Sequence, residues 1–278
     1  MTAHIRRGYL IVASASKTSR VNPSQLIAQL KRKRFVFSVC TGRCGTGFLS
    51  KMLGYLSGVT AKHEPAPCFS NVMRRAQSDP EAAREFVLYE KAPRIAECRG
   101  DVYIETSHLV CKGFIEQFLE LGLLPDLLVI DRPHREVATS LLQLQTIPGR
   151  TDLGRRYLLH PNDPNVLQVA GPEELNDYQL CYWYCLEMQR RKGEYAETLA
   201  RKGARVARIN LDEVTSLSGI DRLTDALALP RIRAWKRRRL LRRLNVGIND
   251  KTGRKRALPE LDYEALEQDV CDRIAQCR

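Results

Sequence analysis

Apolar positions along the chain follow two rhythms. Short runs, RFVFSVC (34–40), DVYIETS (101–107), DLLVIDR (126–132) and ARVARIN (204–210), are dense in apolar and β-branched residues and predict strands. Elsewhere apolar residues return every three or four positions. This occurs in FLSKMLGYLS (48–57), around 80–89, in CKGFIEQFLELG (111–122) and in REVATSLLQLQ (135–145), and predicts amphipathic helices. Residues 146–172 are less regular. A long helix is expected over 172–202, with Pro172 near its first turn, and the chain after 210 reads as mostly helical. This alternation predicts a three-layer α/β fold, with a central parallel sheet flanked by helices and a helical C-terminal part. Ligands of such sheets lie at the carboxyl ends of the strands. Residues 1–33 read as an N-terminal extension and 34–278 as a single α/β domain.

Composition changes this picture little. Hydrophobic residues at 44% and charged residues at 28% fit an ordinary soluble globular protein. No apolar run approaches the roughly 18 residues a bilayer span requires. The start, MTAHIRRGYLIVASASK, has basic residues, a short apolar run and ASA, a signal-like pattern with an apolar core at the short end of the range. Nine cysteines, an odd number with no C-x-x-C spacing, fit neither a disulfide framework nor a zinc knuckle, so a reducing cytoplasm is the expected home. Cys181 and Cys185 share a helical face and read as core packing. Charge matters more. Residues 231–256 hold twelve Lys and Arg against Asp250, a net +11 of the chain's +13. Charge so localised implies an anionic ligand or a polyanionic partner.

The stretch that carries chemistry is FVFSVCTGRCGTGFLSKML (35–53): a strand, a glycine-bearing turn and a helix. Gly42, Gly45 and Gly47 let the backbone turn tightly and aim amides at an anion. Arg43 adds a forked cation, and the helix presents its positive end. The loop is not a Walker A motif, because no Gly-Lys-Ser/Thr closes it, nor is it a G-x-G-x-x-G frame. A second strand-to-helix junction, VIDRPHREVATSLL, supplies Arg132, Arg135 and Ser140. Two anion-binding junctions imply a ligand with two separate phosphate groups.

Together these motifs resemble those of sulfotransferases that use 3′-phosphoadenosine 5′-phosphosulfate (PAPS). GRCGTGFL is similar to that family's GRSGTGFL or KSGTTWL, which holds the 5′-phosphosulfate. RPHREVATSL is similar to its RDPRDVAVSY, which holds the 3′-phosphate, with Arg132 and Ser140 eight residues apart as in the family. The resemblance spans about residues 34–145. Cys44 replaces the usual Ser, Gly47 stands where many members have Thr, PH replaces DP, and no GxxGxWK follows. The resemblance implies a P-loop-like fold and PAPS as cofactor, with adenosine 3′,5′-bisphosphate as product and no metal. It implies that Gly42, Arg43, Cys44, Gly45, Thr46, Gly47 and Phe48 form the first cofactor contact, and Arg132, Ser140 and Arg135 the second. The basic segment reads either as a surface helix, solvated or binding nucleic acid, an anionic glycan or a membrane, or as a cover that closes over the nucleotide through Arg254 and Lys255 as that family's C-terminal basic segment does.

Sulfuryl transfer also needs a base for the acceptor hydroxyl. KHEPAP (62–67) lies where the chain should return to the rim of the cofactor site. Glu64 falls 21 residues after Arg43, which resembles the distance from loop to catalytic Glu in tyrosylprotein and related sulfotransferases. His63 competes with it, since an imidazole titrates in the range that suits a base. YIETSHLVCKGF brings Glu105, Ser107, His108 and Lys112 to another strand end, with His108 a further catalytic candidate. Lys62 or Lys112 could assist the leaving phosphate. The expected function is sulfuryl transfer to a hydroxyl-bearing acceptor (small molecule, sugar, lipid or peptide). A kinase-like phosphoryl transferase is disfavoured by the missing Walker lysine. A nucleic-acid-binding role for the basic segment leaves both anion motifs unexplained and lacks interleaved aromatics.

Overall fold

The computed structural model describes residues 22–233, 235–236 and 256–277. The signal-like start and most of the basic segment, including Arg254 and Lys255, lie outside the described residues. Five strands form one all-parallel sheet: β1 (Arg34–Val39), β2 (Val59–Lys62), β3 (Val102–Glu105), β4 (Asp126–Asp131) and β5 (Val206–Asn210). Their order is β2-β3-β1-β4-β5. The three central strands are buried almost throughout, which is why they read as apolar runs. The edge strand β5 alternates instead. The other edge, β2, is the strand the apolar pattern missed: VTAK is four residues long and only half-buried.

The helices are α1 (Pro23–Leu30), α2 (Thr46–Leu53), α3 (Met73–Ala76), α4 (Pro80–Glu85), α5 (Ala92–Ala96), α6 (Ile115–Glu120), α7 (His134–Gln143) and α8 (Asp152–Tyr157). The 25-residue α9 (Asp177–Arg201), then α10 (Leu211–Val214), α11 (Leu217–Ala226) and α12 (Tyr263–Ala275) follow. Their starts and stops have local causes. The long helix begins at Asp177 rather than near 172 because Asn176 and Gln179 form a capping box there. The helix expected from 111 begins only at Ile115, after Gly113 takes φ 94°. The segment read as irregular contains α8, capped by Thr151. Within the expected N-terminal extension, α1 packs on α5 and buries Leu26 and Leu30 in the core. Among the described residues no helix is long and apolar enough to cross a membrane.

One buried polar group ties this framework together. The helical run from α4 to α5 widens into a π-helical stretch, Phe86–Lys91, and Lys91 is buried. Its Nζ donates to Glu105 Oε1 (2.8 Å) and to the carbonyls of Pro65 (3.3 Å) and Pro67 (3.1 Å). Glu105, fully buried at the end of β3, accepts at Oε2 from the Tyr103 hydroxyl (2.6 Å). Burial drives the Glu105 carboxyl upward, while Lys91 and Tyr103 pull it back. All three ammonium donors are used, the condition under which a buried charge persists. Lys91→Met strands the Glu105 carboxylate and should destabilise the fold by about 3–5 kcal/mol in urea unfolding. Lys91→Met with Glu105→Leu should recover most of that. A single variant within about 1 kcal/mol of wild type would show the pair to be incidental.

Candidate active site

β1 is the sheet's switch point, with β3 on one side and β4 on the other. The loop that leaves its carboxyl end runs from Cys40 to Gly45. Gly42 (φ 78°), Arg43 (φ 60°) and Gly45 (φ 71°) all take the left-handed conformation. At Gly42 a side chain is disfavoured on two counts, since a Cβ would also lie 3.2 Å from the His108 ring and crowd it. No side chain caps α2, so its first amides are left for a ligand.

The side chain of Cys44 turns inward rather than towards a ligand. It is fully buried, and its Sγ donates to the Gly42 carbonyl (3.0 Å) and lies 3.1 Å from Thr41 Oγ1. Its thiol is pulled down to about 7, chiefly by the hydrogen bond with Cys40, against the upward push of burial. Phe48 is likewise a core residue. Thr46 lines the cleft described below, and Gly47 lies in the first turn of α2.

Three of the expected anion ligands meet. Arg43 Nε donates to Ser140 Oγ on α7 (3.1 Å), and Arg132 Nη1 donates to the Arg43 carbonyl (2.6 Å). The two sequence motifs thus form one connected cluster across the ends of β1 and β4. Burial and the charge of Arg132 both weaken Arg43's hold on its proton, as expected where a cation lacks a full counter-charge. Arg135 is placed differently. Its Nε and Nη2 fork onto Glu267 of α12 (2.8 and 2.9 Å), so it braces the C-terminal helix.

The base candidates converge as well. β2 ends at Lys62, paired in register with Glu105 of β3, which delivers residues 63 and 64 beside 106–108. His63 Nδ1 donates to the Thr106 carbonyl (2.7 Å), so in the neutral ring the lone pair is on Nε2. Glu64, at φ 44°, accepts at Oε1 from His108 Nδ1 (2.7 Å). Burial alone would raise the Glu64 carboxyl, but the His108 hydrogen bond, then the charges of His108, His63 and Lys112, hold it down to about 2. His108 is lowered, first by burial and then by Lys112, against the pull of Glu64. Its Nδ1 is committed as donor, and Nε2 carries the lone pair of the neutral ring. Lys112, buried behind these groups, donates to the Tyr157 carbonyl and lies 4.9 Å from the Tyr184 ring centroid. Burial lowers its amine to about 7.

Anion loop and base candidates open onto one cleft of about 480 Å³, with Thr41, Gly42, Arg43, Thr46, His63, Glu64 and His108 on its polar side. The rest of the lining comes from residues the sequence did not single out: Leu141, Leu144, Thr146, Leu153, Tyr157 and Leu158. The available signal was the irregular segment after α7, which lies here. The arrangement combines a cationic anion cradle with imidazoles able to accept a proton.

The Glu64–His108 contact has a measurable signature. A carboxyl at about 2 when folded, against about 4.3 when unfolded, contributes stability that is complete above pH 4.3 and is lost as pH falls towards 2. The Glu64 carboxyl resonance should therefore titrate near 2 and move upward in His108→Ala. Between pH 5 and pH 2.5, wild type should lose more urea stability than Glu64→Gln. A Glu64 titration unmoved by His108→Ala would dissolve the pair.

The chain matches no family model and no curated protein. Among solved structures it is similar to one described as "Sulfotransferase Domain from the Curacin Biosynthetic Pathway", with 13% identity and a TM-score of 0.49 over 72% of this chain and 75% of that one.

Proposed function

We propose that the protein transfers a sulfuryl group from PAPS to an acceptor hydroxyl, releasing adenosine 3′,5′-bisphosphate. The observation that carries this reading is the continuous contact from Arg132 to Arg43 to Ser140, opening on the cleft that holds His108. It supplies two guanidinium groups, a hydroxyl and uncapped helix amides within one cradle, a donor set suited to a doubly phosphorylated nucleotide. PAPS supplies an activated sulfuryl group on a good leaving group.

The chain's own residues divide the remaining work. Arg43 and the amides following Gly42 stabilise charge around the transferring group, and Arg132 and Ser140 hold the 3′-phosphate. The base role moves from Glu64 to His108. A carboxylate at about 2, already engaged by an imidazole, is a weak proton acceptor at neutral pH. His108 Nε2 takes the acceptor proton, and Glu64 fixes its tautomer and balances the imidazolium that forms. His63 Nε2 is the second lone pair in the cleft. Arg256 bonds through its amide to the Gln143 carbonyl (3.0 Å) and through Nη1 to Gln145 Oε1 (2.9 Å), at the end of the helix that carries Ser140. This anchor supports the basic segment as a cover for the nucleotide, with Arg254 and Lys255 as its proposed contacts.

Calorimetric titration tests the cradle. Adenosine 3′,5′-bisphosphate should bind at least about tenfold tighter than 5′-AMP, since a charge-assisted bond contributes on the order of 1.5–3 kcal/mol. Arg132→Ala should erase the difference. Equal affinities in wild type would remove PAPS from the reading. For the chemistry, His108→Ala should lower kcat by about 10²–10⁴ and leave nucleotide affinity little changed, with Glu64→Gln milder. An active His108→Ala beside an inactive His63→Ala would shift the base to His63.

A further inference from the structure

We infer that the acceptor is a small, uncharged, largely apolar alcohol or phenol, an inference that rests on the proposed sulfuryl transfer for its use of the word acceptor. The cleft is divided by chemistry. Its polar lining is Arg43, His63, Glu64 and His108 with Thr41, Gly42 and Thr46. The rest of the lining, a wall from α7 and α8 and the turn between them, is four leucines, Tyr157 and Thr146. Such a wall gives a glycan few hydrogen-bond partners and an acidic peptide no cation.

The cations next to Tyr157 in sequence stand outside the cleft lining. Arg155 pairs with Asp152 and donates to the carbonyls of Gly149 and Arg150, while the Arg156 guanidinium lies 5.3 Å from the Tyr157 ring centroid. Neither lines the cleft.

The wall is also firm. Gly154 sits so tightly on the Ile147 backbone that a Cβ would lie 1.7 Å from its carbonyl oxygen, which presses α8 onto the preceding turn. Arg74 donates to the carbonyls of Arg155 and Leu158 and pairs with Asp163. On this fixed helix Leu153 is 48% exposed and faces the cleft. Its exposed side chain adds apolar surface to the same cleft that His108 lines. The Tyr157 ring, 6.2 Å from the His108 ring, sets an aromatic surface beside the proposed proton acceptor. At about 480 Å³, shared with the transferring group, the cleft suits a ligand of one or two rings rather than a macromolecule.

The test is binding of 2-naphthol to the full chain, followed by fluorescence without nucleotide, alongside glucose and an acidic tyrosine peptide. Saturable 2-naphthol binding, weakened at least about tenfold by Leu153→Glu and kept by Leu153→Met, would support the inference, given unchanged melting curves for both variants. It is overturned if 2-naphthol shows no saturation up to about 1 mM, if Leu153→Glu leaves affinity unchanged, or if glucose or the peptide binds more tightly. Adenosine 3′,5′-bisphosphate is titrated separately. Leu153-dependent naphthol binding without bisphosphate binding retains the apolar site and removes the sulfuryl-transfer reading. The converse result removes the apolar acceptor alone.

Discussion

A lysine buried in the core is the fixed point from which the geometry of the cleft's polar rim follows. Lys91 reaches from a π-helical stretch to the end of β3 and gathers Glu105 with two carbonyls of the 65–67 loop. The loop that follows β2 has little apolar surface to bury, and hydrophobic packing alone would place it loosely. Hydrogen bonds to a desolvated ammonium are directional and strong in a low-dielectric interior. They seat His63 and Glu64 against Thr106 and His108, so that a polar cluster in the core sets the orientation of polar groups at the rim.

That cluster explains what could and could not be read beforehand. The anion loop was legible because its signal is local: strand, glycines, arginine and helix are contiguous, and Gly42 and Gly45 take the left-handed backbone that glycine adopts at least cost. The central strands were legible for the same kind of reason, since burial on both faces leaves an unbroken apolar run. β2 was not, because a four-residue, half-buried edge strand leaves no periodic trace. Its absence hid the one register that matters, Lys62 opposite Glu105, which brings together Glu64 and His108, 44 residues apart in sequence. Both residues were recognisable as candidates, but which one orients the other depends on that register. Arg132 and Arg135 looked equivalent in sequence. Arg135 falls in the first turn of α7 and is directed to Glu267, a partner 132 residues away. Lys91 gave no sign at all, because a lysine's burial is a tertiary outcome.

The anion loop itself is braced from within. Cys44 occupies a position where a small polar side chain can bond the loop's own backbone, and a buried thiol does so while adding apolar bulk to the core. Tyr184 completes the brace from α9, its hydroxyl donating to the Thr41 carbonyl at 3.0 Å. Arg43 and Ser140 are therefore presented from a rigid support, which reduces the ordering a ligand would have to impose.

α7 belongs to both halves of the cleft. Ser140 on this helix meets the guanidinium of Arg43, while Leu141 and Leu144, immediately beyond it, belong to the apolar wall. The helix is packed along α9. α8, by contrast, contributes to the wall alone and takes no part in the Arg43–Ser140 contact. Altering the wall through α7 would disturb the anion cradle, whereas altering it through α8 would not. The two supports of the wall are therefore unequal: a side-chain change at Leu153 leaves the Arg43–Ser140 contact untouched, while Gly154 against Ile147 and the Tyr157 carbonyl on Lys112 fix the backbone beneath it.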